Sequence, residues 1–301
     1  VTNTALAGER SPAAGPVVVG HFEPGSEEWH AARRSGIGGS EIAAVLGISP
    51  YESRFSLWHR KQGLIEPVAE SEEMYWGKVH EPGICRRFAE LHPEHPVTVA
   101  PTYAAAARRW QIANPDRIWG PDIFEAKTAR TADGWGEPGT DEFPVHYRAQ
   151  AMQYLDVLGR RRCHLAVLIA GSEYREYVVE YDPAEARILR TAGAEFMQSL
   201  ADGARPDIDG HTATYQAIKA LSDGLDDIDI EISEALRDEY FTALATAKDA
   251  DDEKRRLAGL VLDEIGTGHR AVAAGRTVAT RTVRDGRTYA LQPARNRGTA
   301  A

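Results

Sequence analysis

The 301-residue chain has only two cysteines, Cys85 and Cys163. Two thiols cannot build a disulfide framework, a zinc knuckle or the four-thiolate cradle of an iron–sulfur cluster, and their scarcity points to a reducing compartment. No apolar run approaches the length that crosses a bilayer. The opening VTNTALAGERSPAAGPVVVG lacks the basic-then-apolar order of a secretion signal and reads as a disordered tail over residues 1–20. Internal repeats are absent. Positive charge is in deficit, 35 Lys and Arg against 45 Asp and Glu, a net of −10 that at first argues against a nucleic-acid partner. Distribution matters more than the total. Residues 223–256 hold 12 acids and 5 bases, whereas residues 276–301 hold six Arg and one Asp. A locally basic groove on an acidic protein is compatible with that pattern. The length fits one large domain, or one domain with an appended module.

What is present centres on ANPDRIWGPDIFEAKTAR, residues 113–130. Residues 123–128 have the character of a short strand, where alternate side chains share a face. Glu125 and Lys127 then point one way and Phe124 and Ala126 the other. Phe124 belongs in a core, and charge beside a core must be paired or bound to metal. Gly120-Pro121-Asp122 forms a tight turn that folds Asp116 back toward Glu125. Asp122, three residues before Glu125, falls on the opposite face, so Asp116 is the better candidate to share a metal. Two carboxylates and a lysine at one spot can hold a divalent cation that activates water against a phosphodiester. A hairpin with a cross-strand salt bridge accounts for this stretch alone equally well.

Upstream, Ser26 and the acids after it start a helix carrying Trp29 and Ala32. The turn Gly36-Ile37-Gly38-Gly39 follows, and Ser40-Glu41 opens a second helix. A glycine-rich turn ahead of a helix exposes N–H groups that suit a phosphate, with Arg33 and Arg34 placed to add charge. The plainer alternative is a helical corner with solvated arginines. A helix around Phe55, Leu57 and Trp58 ends at Gly63. In SEEMYWGKVHEPGICRRFAELH, residues Glu81, Ile84, Phe88 and Leu91 recur at helical spacing. Glu81 on that stripe is either a helix-end residue before Pro82 or a placed ligand. Residues 97–112 are β-like, and residues 129–142 form a polar loop. A helix from Pro144 to Gly159 sets Tyr147, Gln150, Tyr154 and Leu158 on one face. Strands at 163–170 and 175–181 flank the turn at Gly171-Ser172, and Asp182-Pro183 opens a helix to about Leu200. This is a mixed sheet flanked by helices. After a linker at 203–210, residues 230–265 are helical, as a hairpin, a coiled-coil arm or an ordinary amphipathic helix. Asp285-Gly286 marks a β-hairpin.

In this order, WHAARRSGIGGSEIAAVLGISPY, EEMYWGKVHEPGICRRFAE, ANPDRI…FEAKTA and the helix with Tyr147 and Gln150 resemble the YqaJ-type phage recombinases. These are relatives of lambda exonuclease in the PD-(D/E)xK nuclease superfamily. The resemblance spans roughly residues 26–202. It implies an α/β, or α+β, restriction-endonuclease-like fold, a mixed central sheet flanked by helices with a C-terminal helical and β-hairpin extension. The implied organisation is the tail at 1–20, an exonuclease core at 21–205 and the extension at 211–301.

The implied activity is magnesium-dependent 5′-to-3′ digestion of linear double-stranded DNA, with Mn2+ as a substitute ion. It would leave 3′ overhangs for a single-strand annealing protein in phage-type recombination. Carried over by position, Asp116 and Glu125 match the metal-binding acids and Lys127 the motif lysine. Glu81 matches the acid on the preceding helix and Gln150 the glutamine on the following one. Arg33 and Ser40 match positions that grip a terminal 5′-phosphate, with Arg34 as the substitute across a one-residue slip. Arg117 departs from the pattern, which has Gly after the Asp. The family further implies a ring-shaped homotrimer, no membrane, and the cytoplasm of a bacterial host for a phage or prophage product. Two other classes stay open: a repair nuclease of the same superfamily acting on single-stranded or branched DNA, and a non-catalytic DNA-end-binding protein.

Overall fold

The computed structural model describes residues 15–22, 25–222, 224 and 226–294. The chain divides into two compact units, residues 1–223 and 224–301.

The first unit opens with β1 (Val17–Gly20), whose three valines suit an extended edge. Helices α1 (Glu27–Arg34), α2 (Gly39–Val45), α3 (Arg54–Lys61) and α4 (Glu72–Leu91) follow. Then come β2 (Val97–Val99), β3 (Thr102–Ala104), β4 (Ile112–Ala113), β5 (Arg117–Trp119) and β6 (Asp122–Ala129). Helix α5 (Val145–Leu158) leads to β7 (Arg162–Ile169) and β8 (Glu173–Glu180), and α6 (Pro183–Ala201) and α7 (Thr212–Leu221) complete the unit. The central sheet has strand order β2-β5-β6-β7-β8, parallel only between β6 and β7. Parallel neighbours need a crossover, and α5 supplies it. The mixed sheet flanked by helices is as expected.

Alternation along β6 sorts the two cores. Ile123 joins Met152, Leu155, Leu165 and Phe196 on the face covered by α5 and α6. Phe124 joins Ile84, Phe88 and Trp119 on the face covered by α4. Glu125 and Lys127 therefore lie on the α5 side.

Several expectations are corrected here. Residues 1–14 of the expected tail lie outside the described residues, but residues 17–20 are a strand, pairing Val17 with Ala104 and Gly20 with Thr102. Helix α7 belongs to the first unit rather than to an extension beginning at 211. Thr214, fully buried, donates to the Ser53 hydroxyl at 2.7 Å and ties α7 to the start of α3. Helix α4 runs through Pro82 without ending, so Glu81 is a mid-helix residue. Leu91 is 44% exposed and leaves the stripe that Ile84 and Phe88 bury.

The second unit holds α8 (Glu234–Ile265), one uninterrupted helix with no buried residue, which excludes the helical hairpin. Strands β9 (Arg270–Ala273), β10 (Arg276–Arg284) and β11 (Arg287–Pro293) form a three-stranded sheet in the order β11-β10-β9. The hairpin at Asp285-Gly286 is present, with β9 as an added edge. Asp285 and Gly286 both take positive φ, 52° and 74°, as a two-residue turn of this hand requires.

Candidate active site

The turn after β5 does what its residues dictate. Gly120 takes φ 53°, and the chain reverses so that Arg117 pairs with Phe124. Asp116, just ahead of β5, thereby meets Glu125. Its Oδ2 accepts the Ala126 N–H at 2.8 Å, and its own N–H donates to Glu125 Oε2 at 3.2 Å. Lys127 Nζ donates to Glu125 Oε1 at 2.6 Å, and Gln150 Nε2, from α5, donates to the same oxygen at 2.7 Å. Asp116, Glu125, Lys127 and Gln150 are thus brought together, as the sequence led us to expect.

Burial dominates the electrostatics of the cluster. Burial, and after it repulsion from Glu125, holds the Asp116 carboxyl well above its ordinary value. Burial also raises Glu125, against the opposing pull of Lys127. Burial disfavours the charge on Lys127, but Glu125 and Asp116 outweigh it and keep the ammonium protonated. The Tyr147 ring lies under that ammonium, 5.0 Å away. Next to it His146 is pushed down to about 4, by burial and then by Lys127, so it is neutral near pH 7.

Glu81 departs from expectation. Helix α4 covers the opposite face of the sheet, so Glu81 approaches from the side away from Gln150. There it accepts from Arg117 Nη1 at 2.8 Å, and the same nitrogen donates to the Asp116 carbonyl at 2.6 Å. Glu81 is close enough to raise both Asp116 and Glu125. Yet among the described residues no three His, Cys, Asp or Glu side chains gather into a group that could hold a metal ion. Two carboxylates meet, and Arg117, the residue that breaks the family pattern, claims the third. The donor set of Asp116 and Glu125 suits a hard divalent cation, which would relieve the repulsion that raises them.

A second polar cluster sits at the turn between α1 and α2. Arg33 Nη2 donates to Ser40 Oγ at 3.0 Å and lies 3.1 Å from Glu41 Oε1. Arg34 and Ser40 are exposed. The structure therefore joins Arg33, not Arg34, to Ser40. Sequence reasoning missed what supports them. The Lys61 ammonium, from the end of α3, donates to the Arg33 carbonyl at 2.6 Å, the Gly36 carbonyl at 2.7 Å and Glu41 at 2.9 Å. Glu41 also accepts the Gly38 N–H at 2.7 Å. Burial raises the Glu41 carboxyl, but Arg33 and Lys61 outweigh burial and hold it below its ordinary value. No local signal announces Lys61, because its partners lie 20 or more positions away.

Tyr154 connects the clusters. Its hydroxyl accepts from Gln150 Nε2 at 2.9 Å, and its ring packs where Gly39 lacks a side chain. A Cβ at Gly39 would stand 2.2 Å from Tyr154 Cε1, so α2 approaches α5 this closely only with glycine there. Gly36 is equally constrained, since a Cβ would stand 2.2 Å from the Trp110 carbonyl oxygen. The spacing of Gln150 and Tyr154 on one helical face was the readable signal.

The family model for the YqaJ-like viral recombinase domain matches residues 28–161, which contain every residue named in the two clusters. The chain is 30% identical to the YqaJ protein of Bacillus subtilis (strain 168) over 215 residues, 67% of this chain and 65% of that protein. It thus spans just under two thirds of that relative's length. An alkaline exonuclease from Laribacter hongkongensis aligns with a TM-score of 0.48 at 20% identity, over 59% of this chain and 94% of that one. A phage related exonuclease from Haemophilus somnus 129PT aligns with a TM-score of 0.43 at 7% identity, over 56% of this chain and 96% of that one. The motif-bearing stretch from 28 to 161 is thus similar to the YqaJ-like viral recombinase domain.

Proposed function

We propose that this protein is a metal-dependent 5′-to-3′ exonuclease acting on linear double-stranded DNA. The observation that carries the reading is the buried Asp116–Glu125–Lys127 group, whose carboxylates are both raised by burial with only one ammonium to balance them. Mg2+, or Mn2+ in its place, would be held by Asp116 and Glu125. Such an ion supplies a Lewis acid that lowers the pKa of bound water. Lys127 would neutralise charge growing on a scissile phosphate. Gln150 fixes the Glu125 carboxylate through Oε1, and Tyr154 in turn fixes Gln150. Glu81 is the third carboxylate of the set, and it is available to an ion only when Arg117 lets it go.

Arg33 and Ser40 would receive the terminal 5′-phosphate. Their cluster is joined to the cleavage group through Tyr154 and α5, so a strand end gripped at one would present its backbone to the other. Digestion from that end leaves a 3′ single strand, which a single-strand annealing protein would take up. A ring-shaped homotrimer, the assembly the resemblance implies, would keep the enzyme on its duplex.

The test is digestion of linear duplex with 5′-phosphate or 5′-hydroxyl ends in Mg2+, with Glu125→Ala as control. The reading expects faster loss of the phosphorylated substrate and none with the variant. Equal rates on both ends would remove the phosphate-gripping role of Arg33 and Ser40. Closed circular DNA cut as fast as linear would remove the exonuclease reading itself.

A further inference from the structure

Residues 266–294 carry five arginines, Arg270, Arg276, Arg281, Arg284 and Arg287, against one carboxylate, Asp285. Among the described residues none of the five makes an ion pair, and Arg281 donates instead to the Gly266 carbonyl. Helix α8 of the same unit is built the opposite way. Its Arg237, Lys254, Arg255 and Arg256 each have an Asp or Glu partner. Of the helix's five cations only Lys248 lacks an ion pair among the described residues, whereas none of the sheet's five arginines has one, and two of those five stand at the β10–β11 tip.

At that tip Arg284 and Arg287 face each other directly across the ladder. Like charges so placed destabilise a strand pair. The turn itself is specified by Asp285 and Gly286 and requires neither arginine. Beside them Tyr289 is 69% exposed, with the Arg284 guanidinium 5.9 Å from its ring centroid. Arg284, Asp285, Arg287, Thr288 and Tyr289 line an open groove of about 470 Å³.

Two guanidiniums beside an exposed aromatic ring make a phosphate grip next to a stacking platform. A duplex offers the phosphates but keeps its base faces stacked inside. Only an unpaired strand presents a phosphate and a free base face together. We propose that the β10–β11 tip binds single-stranded nucleic acid, with Arg284 and Arg287 holding backbone phosphates and Tyr289 stacking an unpaired base. This goes beyond the nuclease reading and stands without it, because binding is measured where no cleavage can occur.

The experiment uses the full chain carrying Glu125→Gln in chelator, titrated against a fluorescent oligothymidylate of roughly 20 nucleotides and a blunt duplex of equal length, a span that covers the ~4–16 nucleotides such sites engage. Tyr289→Ala is expected to weaken single-strand binding roughly 5- to 150-fold, the range for loss of one stacked base. Tyr289→Phe should keep the affinity and duplex binding should barely change. Arg284→Gln with Arg287→Gln should also flatten the salt dependence by about 1.4 in log–log slope, from two single-strand phosphate contacts at about 0.7 each. Unchanged single-strand affinity in these variants would overturn the proposal. So would equal losses on duplex and single strand with Tyr289→Ala silent, which would mark a backbone-only surface. Failure of the digestion experiment above would leave this result untouched, so the two readings fail separately.

Discussion

Two buried carboxylate clusters sit on either side of Tyr154, and their acids are shifted in opposite directions. Glu41 is held below its ordinary value of 4.5, because Arg33 and Lys61 together outweigh its burial. Asp116 is held well above 3.8, because burial and Glu125 together outweigh Lys127, the one cation opposing them, and the Ala126 N–H. Burial is common to both, so the number of cations facing each acid decides the sign. The saturated cluster resembles a fixture: Lys61 ties the Arg33 and Gly36 carbonyls to Glu41 and sets the turn that presents Arg33 and Ser40. The unsaturated cluster stores repulsion, which a divalent cation would relieve.

The largest expected effect breaks the saturated side. Lys61→Ala removes the ammonium from Glu41 and from two backbone carbonyls, and loss of one partner from a buried ion pair costs about 3–5 kcal/mol. Chemical denaturation measures this, and a cost below about 1 kcal/mol would make the cluster a surface feature, where exposed pairs fall. Next is Lys127→Ala, expected to slow DNA digestion about 100- to 1000-fold, as loss of one preorganised charge stabiliser does. It should leave the fold intact by circular dichroism.

Smaller and opposite in sign is Asp116→Asn, which should abolish digestion yet stabilise the protein by about 1–2 kcal/mol near pH 7, as relief of a strained site does. The pH dependence follows the same signs. Asp116 repulsion is absent below 3.8 and grows as pH rises through its raised folded value, so wild type and Asp116→Asn should converge in stability on acidification. The Glu41 contribution is complete above 4.5 and is lost as pH falls through its depressed value. Convergence at neutral pH instead of acid pH would contradict the assignment. Smallest of all, Arg117→Ala should release Glu81 and tighten Mn2+ binding a few-fold in titration calorimetry, an effect of about 1 kcal/mol. Weaker binding would mean that Arg117 supports the site.

These contrasts also separate what the sequence could reveal from what it could not. Asp116, Glu125 and Lys127 were readable because one turn and one strand, at Gly120 and 122–129, bring them together through local geometry. Gln150 and Tyr154 were readable because one helix repeats every 3.6 residues. The Lys61–Glu41 pair was not, since it depends on α3 folding back on the α1–α2 turn. The capture of Glu81 by Arg117 was half-readable: Arg117 stood out as a departure, but its target lies 36 positions away. Strand β1 was hidden in a Pro-, Ala- and Gly-rich opening, because an edge of four residues takes its order from β3. Helix α7 falls within the expected 211–301 extension but belongs to the first unit, because its ties run to α3 and the segment before it, among them Thr214 to Ser53 and His211 to Ser49, 161 and 162 positions away.

The most direct test of the central claim is thermal unfolding of wild type and Asp116→Asn with and without Mg2+. Without the ion the variant should melt higher by roughly 2–4 °C per kcal/mol of relieved repulsion. Millimolar Mg2+ should then raise the wild-type midpoint and leave the variant where it was. A variant that melts lower without the ion, or a magnesium shift equal in both proteins, would contradict a cation site at Asp116 and Glu125.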